Sequence, residues 1–163
     1  MKKFIKFLAV FIFTILLCGC SLFEIKTKNY SLKGLHITMG EDMKEKKNDN
    51  FTSYLEGKRY IFTSLKETFD SVAVVGLSES SPLMDYTKLV IENNGLKENV
   101  IEKDNLTYFK YTSTIDDVKY FYMAFTFKSK DSFWLVNFAC LDSEKKTYEK
   151  KFIEWAKTIH FDD

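Results

Sequence analysis

Two neighbouring stretches of this chain alternate with large apolar side chains on both of their faces. In Val118–Lys128, Phe121, Met123, Phe125 and Phe127 share one face, and Val118, Tyr120, Tyr122 and Ala124 share the other. In Ser132–Leu141, Trp134, Val136, Phe138 and Cys140 alternate with Phe133, Leu135 and Ala139. A strand wetted on one side shows polar residues at every second position. These two predict a sheet covered on both faces. Asp116-Asp117 and Ser129-Lys130-Asp131 are turn signals that join them to each other and to a preceding strand, Leu106–Thr114. Val100–Lys103, ahead of the turn signal Asp104-Asn105, completes an antiparallel meander.

The covering elements are also readable. Ser80 or Ser81 can cap a helix with Pro82 at its first position, where a missing N–H costs nothing. Leu83, Tyr86, Leu89 and Val90 share its face, and Asn94-Gly95 supplies a left-handed stop. A second helix runs from a Ser143 cap to about Ile159. Tyr148, Phe152, Trp155, Ala156 and Ile159 form one continuous stripe along it, opposite lysine and glutamate. Phe161 is expected in a short closing strand. Upstream, Tyr30–Leu32 and Leu35–Met39 read as strands joined at Lys33-Gly34, and Gly40–Asn50 as a solvated loop. Phe51–Leu55 and Arg59–Leu65 read as a hairpin. Lys66–Ser80 stays open, with Val72–Val75 as either a strand or a packed loop. The sum is an α+β fold, an antiparallel β-sheet with helices on both faces.

Composition narrows the class. With 16 Phe, 9 Tyr, 2 Trp and one Pro in 163 residues, a disordered chain is excluded. Three cysteines are too few for a disulfide scaffold, and a formal charge of +1 argues against coating a nucleic acid. That charge averages two unlike parts. Lys2, Lys3 and Lys6 form a basic head before the apolar stretch Phe7–Cys18, which rises roughly 18 Å as a helix against about 30 Å of hydrocarbon. It fits a signal peptide rather than a membrane span.

The sequence that follows, Leu17-Cys18-Gly19-Cys20, resembles the lipobox of bacterial lipoproteins. Small residues at 18 and 19 let an extended backbone enter a peptidase cleft, and Cys20 supplies a thiol that is nucleophilic as thiolate. The resemblance implies a diacylglycerol, with acyl chains such as palmitate, on Cys20 and cleavage just before it. Two acyl chains hold a protein on a bilayer where one holds it marginally. The expected organisation is a signal peptide over 1–19, a lipidated tether over 20–29 and one domain over 30–163. The mature chain would carry 21 basic and 23 acidic side chains. One arginine beside 23 lysines suits an AT-rich genome. The expected location is the outer face of the plasma membrane of a low-GC Gram-positive bacterium.

Tyr30–Met39 with its charged loop, Ser80–Gly95 with Tyr86, Tyr108-Phe109-Lys110-Tyr111, Phe133–Phe138 and the Phe152–Phe161 stripe together resemble the PsbP-like domains. The likeness covers roughly residues 30–161. It implies an α/β/α sandwich with accessory or binding roles and no catalytic set. The photosynthetic members depend on a flexible N-terminal segment, whose place is taken here by the tether, so their specific role does not carry over.

Candidates for chemistry are few. Cys140 can be read as a nucleophile with His36 or His160 as base, or as a core thiol on the face of Trp134, Val136 and Phe138. Glu41-Asp42 and Asp116-Asp117 are paired carboxylates or solvated loop charges. No zinc, calcium, phosphate-loop or serine-elbow spacing is found, so no metal, cofactor or catalytic residue is assigned. The sequence therefore points to a lipid-anchored, extracytoplasmic, non-catalytic binding module. Its partners would be the bilayer, through Cys20, and an envelope protein or small ligand. The alternative is an envelope hydrolase or ligand-modifying enzyme using Cys140 or clustered carboxylates. Replacing the lipidated thiol separates the anchor from an ordinary leader. Cys20→Ser is expected to abolish metabolic labelling with radioactive palmitate and to leave the precursor uncleaved on a gel.

Overall fold

A computed structural model describes residues 25–162. The expected signal peptide, lipobox and lipidation site Cys20 lie outside the described residues. Among the described residues ten strands form two sheets, and all their pairings are antiparallel. The smaller sheet joins β1 (Thr27–Leu32), β2 (Leu35–Gly40) and β10 (His160–Phe161) in the order β1-β2-β10. The larger contains β3 (Lys44–Glu45), β4 (Ser53–Glu56), β5 (Tyr60–Thr68), β6 (Ile101–Lys103), β7 (Leu106–Ile115), β8 (Val118–Lys128) and β9 (Ser132–Leu141). Its order is β3-β4-β5-β9-β8-β7-β6. The helices are a single turn α1 (Phe69–Val72), α2 (Leu83–Asn93) and α3 (Lys145–Ala156).

The doubly apolar stretches β8 and β9 sit at the centre of the larger sheet, paired in the register Phe121↔Cys140 to Phe125↔Val136. Alternation sends their side chains into two separate clusters. Phe121, Met123, Phe125, Trp134, Val136, Phe138 and Cys140 join the first, against β1, β2 and the Tyr148, Phe152, Trp155 and Ala156 side chains of α3. Ala124 and Phe133 join the second, against Tyr86, Val90 and Ile91 of α2. Phe138, fully buried, packs its ring 4.9 Å from Phe152 and 5.3 Å from Phe62.

Turn chemistry closes the meander. Asp104-Asn105 and Asp116-Asp117 all take positive φ, as tight two-residue hairpins require. Their short polar side chains are among the few that tolerate that region. Helix α2 stops as its sequence indicates. Gly95 takes φ +64, its N–H reaches the Glu92 carbonyl at 2.9 Å, and Leu96 N–H reaches that of Ile91 at 3.0 Å.

Several expectations are corrected. Val72–Val75 forms neither strand nor packed loop. It spans the end of α1 and a 3₁₀ turn, with Val74 88% exposed. Neither Ser80 nor Ser81 caps α2. Pro82 stands at the cap position, and the Ser81 hydroxyl instead accepts the Ser78 N–H at 2.9 Å, closing the turn before the helix. Ser143 lies inside a 3₁₀ turn over Asp142–Glu144 and caps nothing. Helix α3 ends at Ala156, where Thr158 donates its hydroxyl to the Trp155 carbonyl and releases Ile159 toward β10. The loop over 40–50 contains β3, and residues 27–29, expected in the tether, are already sheet.

Cover of the larger sheet is also uneven. One face is shared by α3 and the smaller sheet, not held by a helix alone. On the other, α2 and β8 each have 11 residues, yet a helix of that length spans about 16 Å and a strand about 36 Å. The helix covers one end and leaves Tyr111, Tyr120 and Tyr122 half-exposed at the other. Phe138→Ala is expected to cost about 3–5 kcal/mol in urea unfolding, whereas Val74→Ala should change stability by less than about 0.5 kcal/mol.

Candidate functional site

The uncovered end of the second face is built from three strands. Tyr111 on β7 stands opposite Tyr122 on β8, with ring centroids 4.6 Å apart and planes within 5°. Tyr120 follows two residues along β8, opposite Leu141 of β9. At the tip, Ile115 pairs with Val118 across the Asp116-Asp117 turn. Ile115, Val118 and Leu141 are 50%, 40% and 39% exposed. Among the described residues only Val74 and Val75 are large hydrophobics exposed to a like degree. Isolated exposed apolar side chains are ordinary, but three beside a tyrosine ladder form a patch.

The rim of this patch carries both signs of charge. Lys119 pairs with Asp142 at 3.3 Å, and Arg59 approaches Glu144 at 3.6 Å. An open cavity of about 400 Å³ lies at its edge, where Tyr120, Leu141 and Ile61 meet the β4–β5 turn. Burial pushes the Tyr111 hydroxyl up to about 12 and raises that of Tyr122, so both stay neutral donors at physiological pH. Neutral rings with hydroxyl tips offer contact area and hydrogen bonds. The patch is suited to binding.

The sequence-derived candidates for catalysis are not brought together. Cys140 faces the first cluster between Tyr60 of β5 and Phe121 of β8, 2% exposed. Burial, reinforced by the Glu144 and Asp142 charges, pushes its thiol up to about 12. It forms no hydrogen bond with either histidine among the described residues. His36 lies on β2 of the smaller sheet, its Nε2 2.6 Å from Asp162 Oδ1 and its Nδ1 3.1 Å from Ser31 Oγ. His160 stacks on it at 4.9 Å. This row fastens the chain end: Asp162 N–H also donates to the Gly34 carbonyl at 3.0 Å, and Phe161 is held 4.9 Å from Trp134. Sequence reading missed it because Ser31 and His36 pair across the β1–β2 hairpin but Asp162 reaches them only through β10.

The carboxylate pairs serve local structure. Asp42 accepts the Lys58 N–H at 3.1 Å and the Tyr60 hydroxyl at 3.3 Å, and Asp116-Asp117 forms the hairpin tip. Among the described residues no three His, Cys, Asp or Glu side chains cluster as metal ligands would, and no helix is long and apolar enough to cross a membrane.

No protein-family model and no curated protein matches the sequence. Solved structures match the fold. The yeast Ran-binding protein Mog1p aligns at TM-score 0.57 and 7% identity, over 85% of this chain and 96% of its own. A Bacteroides thetaiotaomicron protein aligns at 0.56 and 9%, over 86% of this chain, which spans half of that longer one. The cyanobacterial PsbP of Synechocystis aligns at 0.51 and 9%, over 87% and 96%. The chain is thus a mixed α/β domain, mostly antiparallel, similar in structure to a PsbP protein. At such identities the likeness is one of fold.

The state of Cys140 can be tested directly. Its burial favours the neutral thiol, so the stability it lends is full below about pH 9 and declines as pH rises toward 12. Iodoacetamide at pH 8 is expected to leave Cys140 unmodified in the folded protein and to alkylate it fully in urea, as read by mass spectrometry.

Proposed function

We propose that this protein is a lipid-anchored, extracytoplasmic binding module of the bacterial cell envelope, and that it engages an envelope protein through the tyrosine patch. The observation that carries the reading is the position of the patch. Tyr120 and Leu141 share one cavity with Lys58, Arg59 and Tyr60, and those three share the next with Ile25 and Lys26, where the described chain begins. A diacylglycerol on Cys20 would hold this end of the domain closest to the bilayer. An extended chain from residue 20 to residue 25 reaches at most about 18 Å.

Its chemistry favours a protein partner over the lipid itself. The tip of the patch carries Asp116 and Asp117, which an anionic surface repels. Aromatic and aliphatic side chains within a rim of mixed charge are the usual make-up of a protein interface. A similar fold in yeast belongs to a Ran-binding protein, which supports a binding role for this one. Cys140, buried and held neutral, is a poor nucleophile for the enzymatic alternative.

A double substitution, Tyr120→Asp with Leu141→Asp, tests the patch. Photo-crosslinking from position 122 in native membranes should yield one specific adduct. The double variant should weaken it roughly tenfold or more while keeping the far-ultraviolet spectrum of the parent. Equal cross-linking by a folded double variant would refute the assignment, and so would the absence of any specific adduct.

A further inference from the structure

A second cavity, of about 370 Å³, opens where the chain joins the domain. Ile25 packs on the core, and the Lys26 carbonyl accepts the Glu41 N–H at 2.9 Å, so this wall is fixed. Four cations from three separate segments surround it: Lys26, Lys58 and Arg59 of the β4–β5 turn, and Lys151 of α3. Among the described residues Lys26, Lys58 and Lys151 take part in no ion pair, and Arg59 has only its 3.6 Å approach to Glu144. Two carboxylates oppose them: Asp42, held by the Lys58 backbone N–H and the Tyr60 hydroxyl, and Glu41, which takes part in no ion pair among the described residues, so the cations outnumber the carboxylates four to two.

A second observation points into the same space. Tyr148 lines the cavity and is 3% exposed, yet its hydroxyl forms no hydrogen bond with another described residue. Its ring is held by Tyr60 at 5.3 Å and Phe152 at 5.6 Å. The ring is buried but the hydroxyl is not among the buried polar atoms without a partner, so it opens onto the cavity and is free to donate to a ligand there.

We propose that this cavity binds the phosphate-bearing head group of an anionic membrane lipid. Arg59 and Lys58 take phosphate oxygens and the Tyr148 hydroxyl donates to the same group. The proposal rests on the reading that Cys20 carries the lipid anchor, because the short tether keeps the cavity at head-group height. It gives the anchored domain an orientation, with the basic corner on the bilayer and the tyrosine patch turned along it.

The test uses the purified, acylated full-length protein in neutral detergent. It is titrated with dihexanoyl phosphatidylglycerol, dihexanoyl phosphatidylcholine or inorganic phosphate and followed by calorimetry. Saturable binding of phosphatidylglycerol is expected, at least tenfold tighter than that of phosphatidylcholine or free phosphate. Arg59→Gln with Lys151→Gln should weaken it tenfold or more, Tyr148→Phe should weaken it severalfold, and Glu41→Gln should tighten it, each variant keeping the parent melting temperature. The tightening by Glu41→Gln is a sign that a merely structural role would not produce. No saturable binding, equal binding of phosphatidylcholine, or free phosphate binding as tightly as the lipid would overturn the proposal. Wild-type affinity in a folded Arg59→Gln, Lys151→Gln protein would do the same. Mass spectrometry of the N-terminal peptide from the same sample reports acylation of Cys20 separately, so failure of the anchor and failure of the cavity are distinguishable.

Discussion

The pairing of β8 with β9 places bulky side chains on both sides of one ladder, and neither side can be left to water. Phe121, Phe125, Trp134 and Phe138 on one face and Ala124 and Phe133 on the other are fully or almost fully buried. Burying one such aromatic is worth about 2–3 kcal/mol, so the ladder demands a layer above and a layer below. That demand explains the rest of the order. Helix α3 and the small sheet lie over the first face, and α2 over part of the second. The buried polar groups between α2 and β8 are paired with each other. The Thr126 hydroxyl donates to Thr87 at 2.7 Å, and Thr87 donates to the Leu83 carbonyl at 2.8 Å, so α2 is fixed on β8 through two buried hydroxyls.

The mismatch in length between a helix and a strand of equal residue count leaves the surplus of the ladder uncovered. Tyrosine is the residue that tolerates this position. Its ring packs on neighbours, as the stacked Tyr111 and Tyr122 do, while its hydroxyl keeps a hydrogen-bonding tip. Phenylalanine occupies the covered equivalents, Phe109 and Phe133. The change from Phe to Tyr along one face thus marks where the cover ends, and that boundary defines the proposed interaction surface.

Much of this was legible in the sequence because it rests on short-range periodicity. Double alternation gives the central ladder, the Asp and Asn turn pairs give its hairpins, and Asn94-Gly95 ends α2. What stayed hidden depends on contacts between distant segments. Val72–Val75 is as apolar as a core strand, and only the tertiary fold leaves Val74 in solvent. The Ser81 hydroxyl had two possible partners, and the turn won over the helix. The two-residue strand β3 carries no periodic signal at all, whereas the equally short β10 was expected at Phe161. The tyrosine patch was read as core, since alternation reports an apolar face and not how far its cover reaches. The cavity beside Ile25 draws on the two residues before β1, the two after β2, the β4–β5 turn and α3, and no spacing in the chain announces it.

The two surfaces differ in charge in a way that separates their roles. Both lie at one end of the sandwich and meet at Lys58–Tyr60. The patch ends in Asp116-Asp117, while the neighbouring cavity gathers Lys26, Lys58, Arg59 and Lys151. A negatively charged bilayer attracts nearby lysine and arginine by roughly 1 kcal/mol each and repels carboxylates. That field decays within about 8–10 Å in physiological salt. It therefore acts on an anchored domain only near the point of attachment, where these opposed charges stand side by side. In the proposed lipid-anchored arrangement, the resulting torque would press the cavity toward the lipid and lift the acidic tip away. A domain held by acyl chains alone would swivel freely. One held also by this charge asymmetry presents its tyrosine face sideways, at the height of a partner in the same membrane.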